Sequence, residues 1–489
     1  MADLIDKLID EIGPGHMGST AYDTAWAARL GEIDWELSSR ALSWLSENQL
    51  PNGAWGAAAP MYYHDRVLCT LAAMIALSYR GRRGQDKVQI ENGKIALERM
   101  VKGATEGLMS DPNGATVGFE MIAPTLVAEA EKLGIIKKQG DRILGRLSRQ
   151  RAKKLSYLRD NMISREVTMA FSAEMAGTDG RHMLDIKNLQ ESNGSVGVSP
   201  SASAYFATYI KRGDEASLAY LRRVMKPDGG MPNVAPFDVF EIAWTLWNLS
   251  FIPHLKKNAK LQPHIDFLSK AWVPKRGVGF AADYSVKDSD DTSLVYDTLL
   301  RFGCEKDLAS VLRYEEKDHF RCFELEANPS ISANIHVLNA LTQAGLDQRN
   351  SSINKVLSFL RKAKGQNPCW VDKWHSSPYY ATSHAIIACA GMADESVEEA
   401  VQWLLSSQNK DGSWGTYLPT AEETAYALQA LWVWNEKVAK VTKSVFKNGA
   451  RWLHEHMDPP YPPLWIGKCL YNPRLVIRSA VISALTLLG

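Results

Sequence analysis

What this sequence has little of removes several classes of protein at once. Net charge is only +1 across 489 residues, so no excess of one sign marks the chain for nucleic acid. The six cysteines (Cys69, Cys304, Cys322, Cys369, Cys389 and Cys469) are scattered, without a C-x-x-C. They read as reduced thiols in a reducing compartment, not as a disulfide frame or a zinc site. Apolar runs such as Leu68–Leu77 are too short to span a bilayer, so no transmembrane segment is expected. The opening M-A-D-L-I-D-K-L-I-D-E-I-G is acidic and amphipathic, unlike a signal or transit peptide. Together these features predict a soluble, cytoplasmic protein. Alternating runs rich in Val, Ile and Thr are hardly seen, which argues against sheets. The chain has no Gly-rich phosphate loop before a strand, no H-E-x-x-H and no G-x-S-x-G. Its eleven histidines show no paired metal spacing.

Helical periodicity fills most of the remainder. Glu36–Leu50, Arg66–Tyr79, Ile90–Val101, Phe119–Leu133, Val239–Leu249, Ser352–Ala363, Ser396–Ser407 and Glu422–Trp434 all carry apolar residues at helical spacing. Hydrophobic residues make up 45% of the chain, enough for two to four domains with real cores. Connections are rich in Gly, Pro and Asn. One of them recurs: Gln49-x-x-x-Gly53-x-Trp55-Gly56 is echoed by Gln408-x-x-x-Gly412-x-Trp414-Gly415, with a diverged version at Lys226–Asn233. Repetition of this kind predicts stacked helical hairpins closing into α/α toroids. The Gln reaches across the turn, the Gly permits positive φ and the Trp plugs the gap between helices. Two such echoes far apart imply two toroids, with a boundary near Lys226. Most of the fifteen tryptophans read as core packing. The basic run Arg142–Lys154 reads as a solvated helix face, with phosphate binding the lesser alternative.

Chemistry concentrates at D-S-D-D-T, Asp288–Thr292, ahead of an apolar helical stretch ending near Gly303. A single Asp there would be a helix cap. Three carboxylates in four residues repel one another and raise at least one pKa. The spacing fails the calcium loop, because Ser293 stands where Gly and Leu299 where Glu would be needed. No second D-D-x-x-D run completes a magnesium clamp. His375 and His384, near Trp370, Trp374, Tyr379 and Tyr380, read as satisfied core residues. Two reactions suit clustered carboxylates in an aromatic-lined helical toroid. One is glycoside hydrolysis by paired acids. The other is protonation of an alkene by one neutral Asp, with a dry cavity sheltering the cation. A non-catalytic helical scaffold is the third reading.

The chain resembles the class II terpene cyclases of the bacterial two-domain type, almost end to end. D-S-D-D-T matches the family's D-x-D-D. S-T-A-Y-D-T-A-W at Ser19–Trp26, H-D-R-V-L-C-T-L-A at His64–Ala72, V-G-F-E-M-I-A-P at Val117–Pro124, S-P-S-A-S-A-Y-F at Ser199–Phe206 and P-L-W-I-G-K-C-L-Y at Pro463–Tyr471 are similar to family blocks. The likeness is nearer to halimadienyl diphosphate synthases than to copalyl diphosphate synthases. The resemblance implies an all-α fold of two α/α barrels, called β and γ, with the active site between them. Residues 1–15 would be the first helix of the β domain, 16–225 the inserted γ domain and 226–489 the rest of the β domain. It implies Asp290 as general acid, Asp288 and Asp291 as its supports, and Asn339 in V-L-N-A-L as the hydrogen-bond partner of the acid. The substrate would be geranylgeranyl diphosphate, cyclised with its diphosphate retained. Lys373, Lys468, Asn233, Trp370 and Trp374 would contact it. Mg2+ would accompany the diphosphate, with only Asp111 left of the acidic stretch that binds it in plant relatives. A downstream class I synthase or phosphatase would take the product. In ent-copalyl synthases a His and an Asn hold the water that removes the final proton. Here Asn233 matches the Asn, but Ala173 stands in place of the His, which points to a rearranged product.

Overall fold

The computed structural model describes residues 1–80, 83–102, 115–138, 143–145, 147–326, 328–392 and 394–489. Helices buried on every face form its centre. Asp238–Leu249, Ser289–Arg301, Ile331–Gln343, Pro378–Cys389, Ala421–Lys437 and Arg474–Leu488 pack each on the next, and the last returns to the first, closing a ring. Their sequences explain this. From Val239 to Leu249 every residue is buried, so no polar stripe turns the helix outward. The helices outside the ring are amphipathic. Ser351–Lys364, for example, buries Ile353, Val356, Leu357 and Leu360 along one face. The opening helix Ala2–Glu11 joins this outer layer. Its Ile5, Leu8 and Ile9 enter the core of the C-terminal ring, and Glu11 accepts from Arg478 at 2.8 Å.

A second ring gathers Ala21–Ala28, Tyr63–Arg80, Phe119–Lys132, the 3-10 segment Thr168–Ala176 and Pro200–Tyr205. Trp35–Glu47, Gly84–Lys102 and Glu215–Val224 lie outside it. Its core draws on residues from Ala21 to Leu221, joined by Met231 and Cys469 from the later chain. Seven of the eight segments predicted from periodicity end within about three residues of the observed helices, the usual blur of helix ends. The second outer helix starts earlier than expected, at Gly84 rather than Ile90. Two small antiparallel pairs were not predicted: Ser19–Thr20 with Met231–Pro232, and Trp465–Ile466 with Leu470–Tyr471. Two-residue strands are too short to show an alternating pattern. Among the described residues no helix is long and apolar enough to cross a membrane.

The recurrent turn proves more widespread than the sequence suggested. The backbone N–H of Trp55 donates to Thr70 Oγ1 at 3.0 Å, and its indole N–H to the carbonyl of Leu45 at 2.8 Å. Trp414 repeats this on Thr424 and Leu404, and Trp370 on Thr382 and Leu360. Met231 on Thr24, Val196 on Ser203, Val278 on Thr292 and Phe320 on Asn334 keep the backbone bond with a different plug. Gly53, Gly194, Gly229 and Gly412 hold φ of 89°, 87°, 89° and 101° at the same point of the turn. A Cβ on Gly412 would stand 2.4 Å from the carbonyl oxygen of Asn448. In five copies the accepting side chain lies four residues after the helix cap: Thr24 after Thr20, Ser203 after Ser199, Thr292 after Asp288, Asn334 after Ser330 and Thr424 after Thr420. The acidic motif is therefore one copy of the ring's own helix start, with Asp288 as cap and Thr292 as anchor.

Candidate active site

The motif divides by role once it is placed on this repeat. Asp288 Oδ1 accepts the Asp291 N–H at 2.8 Å, closing the first turn of Ser289–Arg301. Its Oδ2 and the Oδ1 of Asp291 are buried without a hydrogen-bond partner. Burial, set against the Asp291 N–H bond and reinforced by the charge of Asp290, pushes Asp288 up to about 7. Burial, then Asp288 and Asp290, push Asp291 up as well. Carboxyls in this state carry protons near neutrality. The unpartnered oxygens fit that state, because a neutral carboxyl costs far less to bury than a carboxylate.

Asp290 is different. It fills no capping or anchoring position of the repeat, and its side chain keeps 16% exposure while its neighbours are sealed. Its Oδ1 lies 2.6 Å from His336 Nδ1, and His336 Nε2 lies 3.0 Å from His384 Nδ1. His384 stacks on Trp247 at 4.7 Å, and burial, then His336 and His375, hold it well below the usual histidine range, hence neutral. An acid whose Oδ1 accepts from His336 Nδ1–H keeps its proton on Oδ2. The same contact fixes the orientation of the Asp290 carboxyl. Buried rings surround this group. Trp244 meets His336 edge-on at 5.5 Å and stacks on Phe240 at 4.0 Å. Tyr380 lies 6.4 Å from His336 and 4.7 Å from Trp465, and accepts the Trp244 indole N–H at 3.0 Å. Ring faces carry negative potential, and a carbocation between them is stabilised without a base to quench it.

Several expected contacts are corrected. The side chain bonded to Asp290 is His336, not Asn339. Both sit on Ile331–Gln343, but Asn339 Nδ2 is buried without a partner. Trp370 is a gap plug: its two N–H groups are spent on the repeat and it is 1% exposed. Lys468 is no free cation for a diphosphate. Its ammonium, fully buried, donates to Glu174, Ser199 and Ser201, each at 2.7 Å. Lys373 is paired with Glu326 and donates to the Asn328 carbonyl at 2.6 Å. Asn233 Nδ2 donates to Asp23 at 3.0 Å in the same buried cluster as Lys468. Trp374 keeps its place as a candidate: its indole N–H is unpartnered and its ring meets Phe323 edge-on at 6.2 Å. Lys154 of the basic run is bonded to Glu120, so it belongs to the structure and not to a phosphate site. His375 is the satisfied core residue expected, placed between Ser377 and Glu422. His336 went unnoticed although the sequence carries a signal. It is the one histidine on a helix buried from Ser332 to Leu341.

Asp111 lies outside the described residues. Among those described, the grouping that could hold an ion is Asp65, Cys69 and Cys469. Thiols suit soft cations, so this set does not fit Mg2+, which demands oxygen ligands.

A helical ring that sets one aspartate against a histidine, beside two carboxyls that burial pushes upward and among aromatic rings, with no clamp to ionise a phosphate ester in the same motif, defines an acid-initiated cyclase. Comparison with known proteins agrees. Residues 322–457 match the squalene-hopene cyclase C-terminal domain family. The chain is 46% identical over 479 residues to a type B diterpene cyclase of Mycobacterium tuberculosis, covering 96% of each. It is 28% identical to an ent-copalyl diphosphate synthase of a Streptomyces species, covering 99% of this chain and 94% of the other. The ent-copalyl diphosphate synthase of Streptomyces platensis matches its fold with a TM-score of 0.76 at 27% identity, covering 99% of this chain and 98% of that one. The protein belongs to the class II diterpene cyclases and is an enzyme. The glycoside hydrolase and scaffold readings fall with that assignment.

Proposed function

We propose that the chain cyclises geranylgeranyl diphosphate to a bicyclic diterpenyl diphosphate of rearranged skeleton, halimadienyl or kolavenyl in type, without releasing the diphosphate. The observation that carries this reading is the Asp290–His336 contact at 2.6 Å beside carboxyls that burial pushes upward. Asp290 gives its Oδ2 proton to the terminal alkene, and two ring closures follow. One proton enters and one leaves, so the net reaction is an isomerisation. Two features favour rearrangement over prompt quenching. Ala173 offers no base, and the Asn233 amide is engaged by Asp23. A cation that is not quenched at once outlives hydride and methyl shifts. The likeness to ent-copalyl diphosphate synthases favours an unrearranged copalyl product as the second reading. A product that keeps its diphosphate needs a later enzyme, a class I synthase or a phosphatase, to remove it. Mg2+ would accompany the diphosphate, where it would offset the charge of the phosphates.

Incubation with geranylgeranyl diphosphate, phosphatase treatment and NMR of the alcohol tests the proposal. A rearranged bicyclic alcohol is expected, with no pyrophosphate released in step with cyclisation. An exocyclic methylene with unmigrated methyls selects the copalyl reading, and pyrophosphate release rejects both. Asp290→Asn should lower turnover more than tenfold, that is by more than about 1.4 kcal/mol of barrier. Activity above that level removes Asp290 from the role of acid.

A further inference from the structure

Away from the acid, two cysteines 400 residues apart meet. Cys69 lies on Tyr63–Arg80 of the N-terminal ring, and Cys469 in the turn between Trp465–Ile466 and Leu470–Tyr471. Their Sγ atoms are 3.5 Å apart, and Cys69 Sγ lies 3.8 Å from Asp65 Oδ1, one helical turn back. All three ligand atoms fall within 4.8 Å of one another, and all three residues are buried. We propose that Asp65, Cys69 and Cys469 form a binding site for a thiophilic divalent cation, Zn2+ foremost, which bridges the two rings.

Geometry carries the proposal. With Zn–S about 2.3 Å and Zn–O about 2.1 Å, the edges of a tetrahedral site are about 3.8 Å for S···S and about 3.6 Å for S···O. The observed 3.5 and 3.8 Å lie within a few tenths of an ångström of those edges. A disulfide asks for more. It needs an S–S length of about 2.05 Å, so two close-packed segments would have to close by about 1.5 Å, and it needs an oxidant. The carboxylate is already aimed. Asp65 Oδ2 accepts the Ala57 N–H at 2.8 Å and Oδ1 the Leu470 N–H at 2.9 Å. Backbone donors of this kind fix a ligand without competing for its remaining lone pairs. A cavity of about 260 Å³ reaches Asp65 and Cys69 past Gly56, Ala57 and Leu470. It offers an ion a route to Asp65 and Cys69. Charge also balances: one dication, two thiolates and one carboxylate leave a single negative charge. Arg66 stands beside it, its guanidinium fixed on the Ala57 and Ala58 carbonyls at 2.7 and 3.0 Å. Free thiols carry their protons at neutral pH. Loading is then an exchange in which the ion enters and each thiol gives one proton to solvent.

The test uses the full chain, reduced and stripped by a chelator under nitrogen. Titration with Co2+ should give one thiolate-to-cobalt charge-transfer band with tetrahedral visible bands, saturating at one ion per chain. Zn2+ should displace it, and dye titration should count two protons released. Cys69→Ser and Cys469→Ser should each abolish the band, and Asp65→Asn should weaken binding at least tenfold. The remaining four cysteines are the control, since a band that survives both serine variants overturns the site. X-ray absorption of the unaltered Zn2+-loaded protein covers the case in which a variant does not fold. Two sulfurs at about 2.3 Å are expected, and a shell of nitrogen and oxygen alone overturns the proposal. So does an intact mass lower by two hydrogens with no metal bound, which would mean a disulfide.

Discussion

At the residue scale the site turns on the difference between three aspartates of one motif. Asp288 and Asp291 belong to the helix start and are sealed; Asp290 is the one set against a histidine. His336 is therefore expected to matter for turnover more than Asn339. His336→Ala should lower kcat about 100-fold, the usual range for a group acting in proton transfer, with KM little changed, while Asn339→Ala should cost less than His336→Ala. Steady-state kinetics with both variants checks this, and equal losses would show that the Asn carries the role first expected of it. Protonation of Asp288 also makes stability depend on pH. Burial raises its folded value to about 7, well above the roughly 3.9 of an unfolded Asp. A raised value means that the folded state holds the proton longer. The stabilising contribution is complete below the unfolded value and is lost as pH rises through the folded one. The urea midpoint should fall between about pH 4 and about pH 7, and Asp288→Asn, which keeps the cap, should flatten the fall. An unchanged slope in that variant would place the titration elsewhere.

At the scale of the element, the repeated turn explains why Thr292 follows the aspartates. Its hydroxyl accepts the Val278 N–H at 3.0 Å and donates to the Val278 carbonyl at 3.1 Å, as Thr24, Thr70, Thr382 and Thr424 accept from their own turns. Thr292→Val keeps the shape but strands the buried Val278 N–H, while the Val278 carbonyl still accepts from the Asp288 N–H at 3.1 Å. A loss of about 1–3 kcal/mol is expected, measured by chemical denaturation, with the product spectrum unaltered. A changed product at unchanged stability would make Thr292 part of the chemistry and not of the scaffold. Two copies of the turn were legible because Gln, Gly and Trp all recur in them. The copy at Lys226–Asn233 was legible only as a diverged version; the others were hidden because the plug changes to Val or Phe or, at Trp370, because Lys364 and Pro368 stand where the Gln and Gly would be, and what persists is a backbone bond. Backbone bonds leave no mark on residue identity.

At the scale of the molecule, the two rings are joined by a buried cluster. Lys468, carried on the hairpin of the later chain, donates to Glu174, Ser199 and Ser201 of the earlier ring, while Asn233 and Asp23 meet beside it. Lys468→Met should destabilise the fold by about 3–5 kcal/mol, because Glu174 is left charged and unpaired in the interior. The added change Glu174→Gln should restore part of this. Denaturation of the single and double variants checks the coupling, and additive losses would mean the pair is not coupled. The sequence by itself determined the helical class, the helix spans, the two-ring architecture and the acid motif. Periodicity, turn residues and clustered charge act over a few residues, and the chain writes such signals out in order. Only the tertiary structure decided which histidine faces Asp290, that Lys468 serves the scaffold, that Trp370 is a plug, and that Cys69 meets Cys469. Apart from the Trp370 plug, each of those pairs joins residues from 46 to 400 positions apart, brought together by the closing of rings, and a contact of that kind depends on packing that no local pattern encodes.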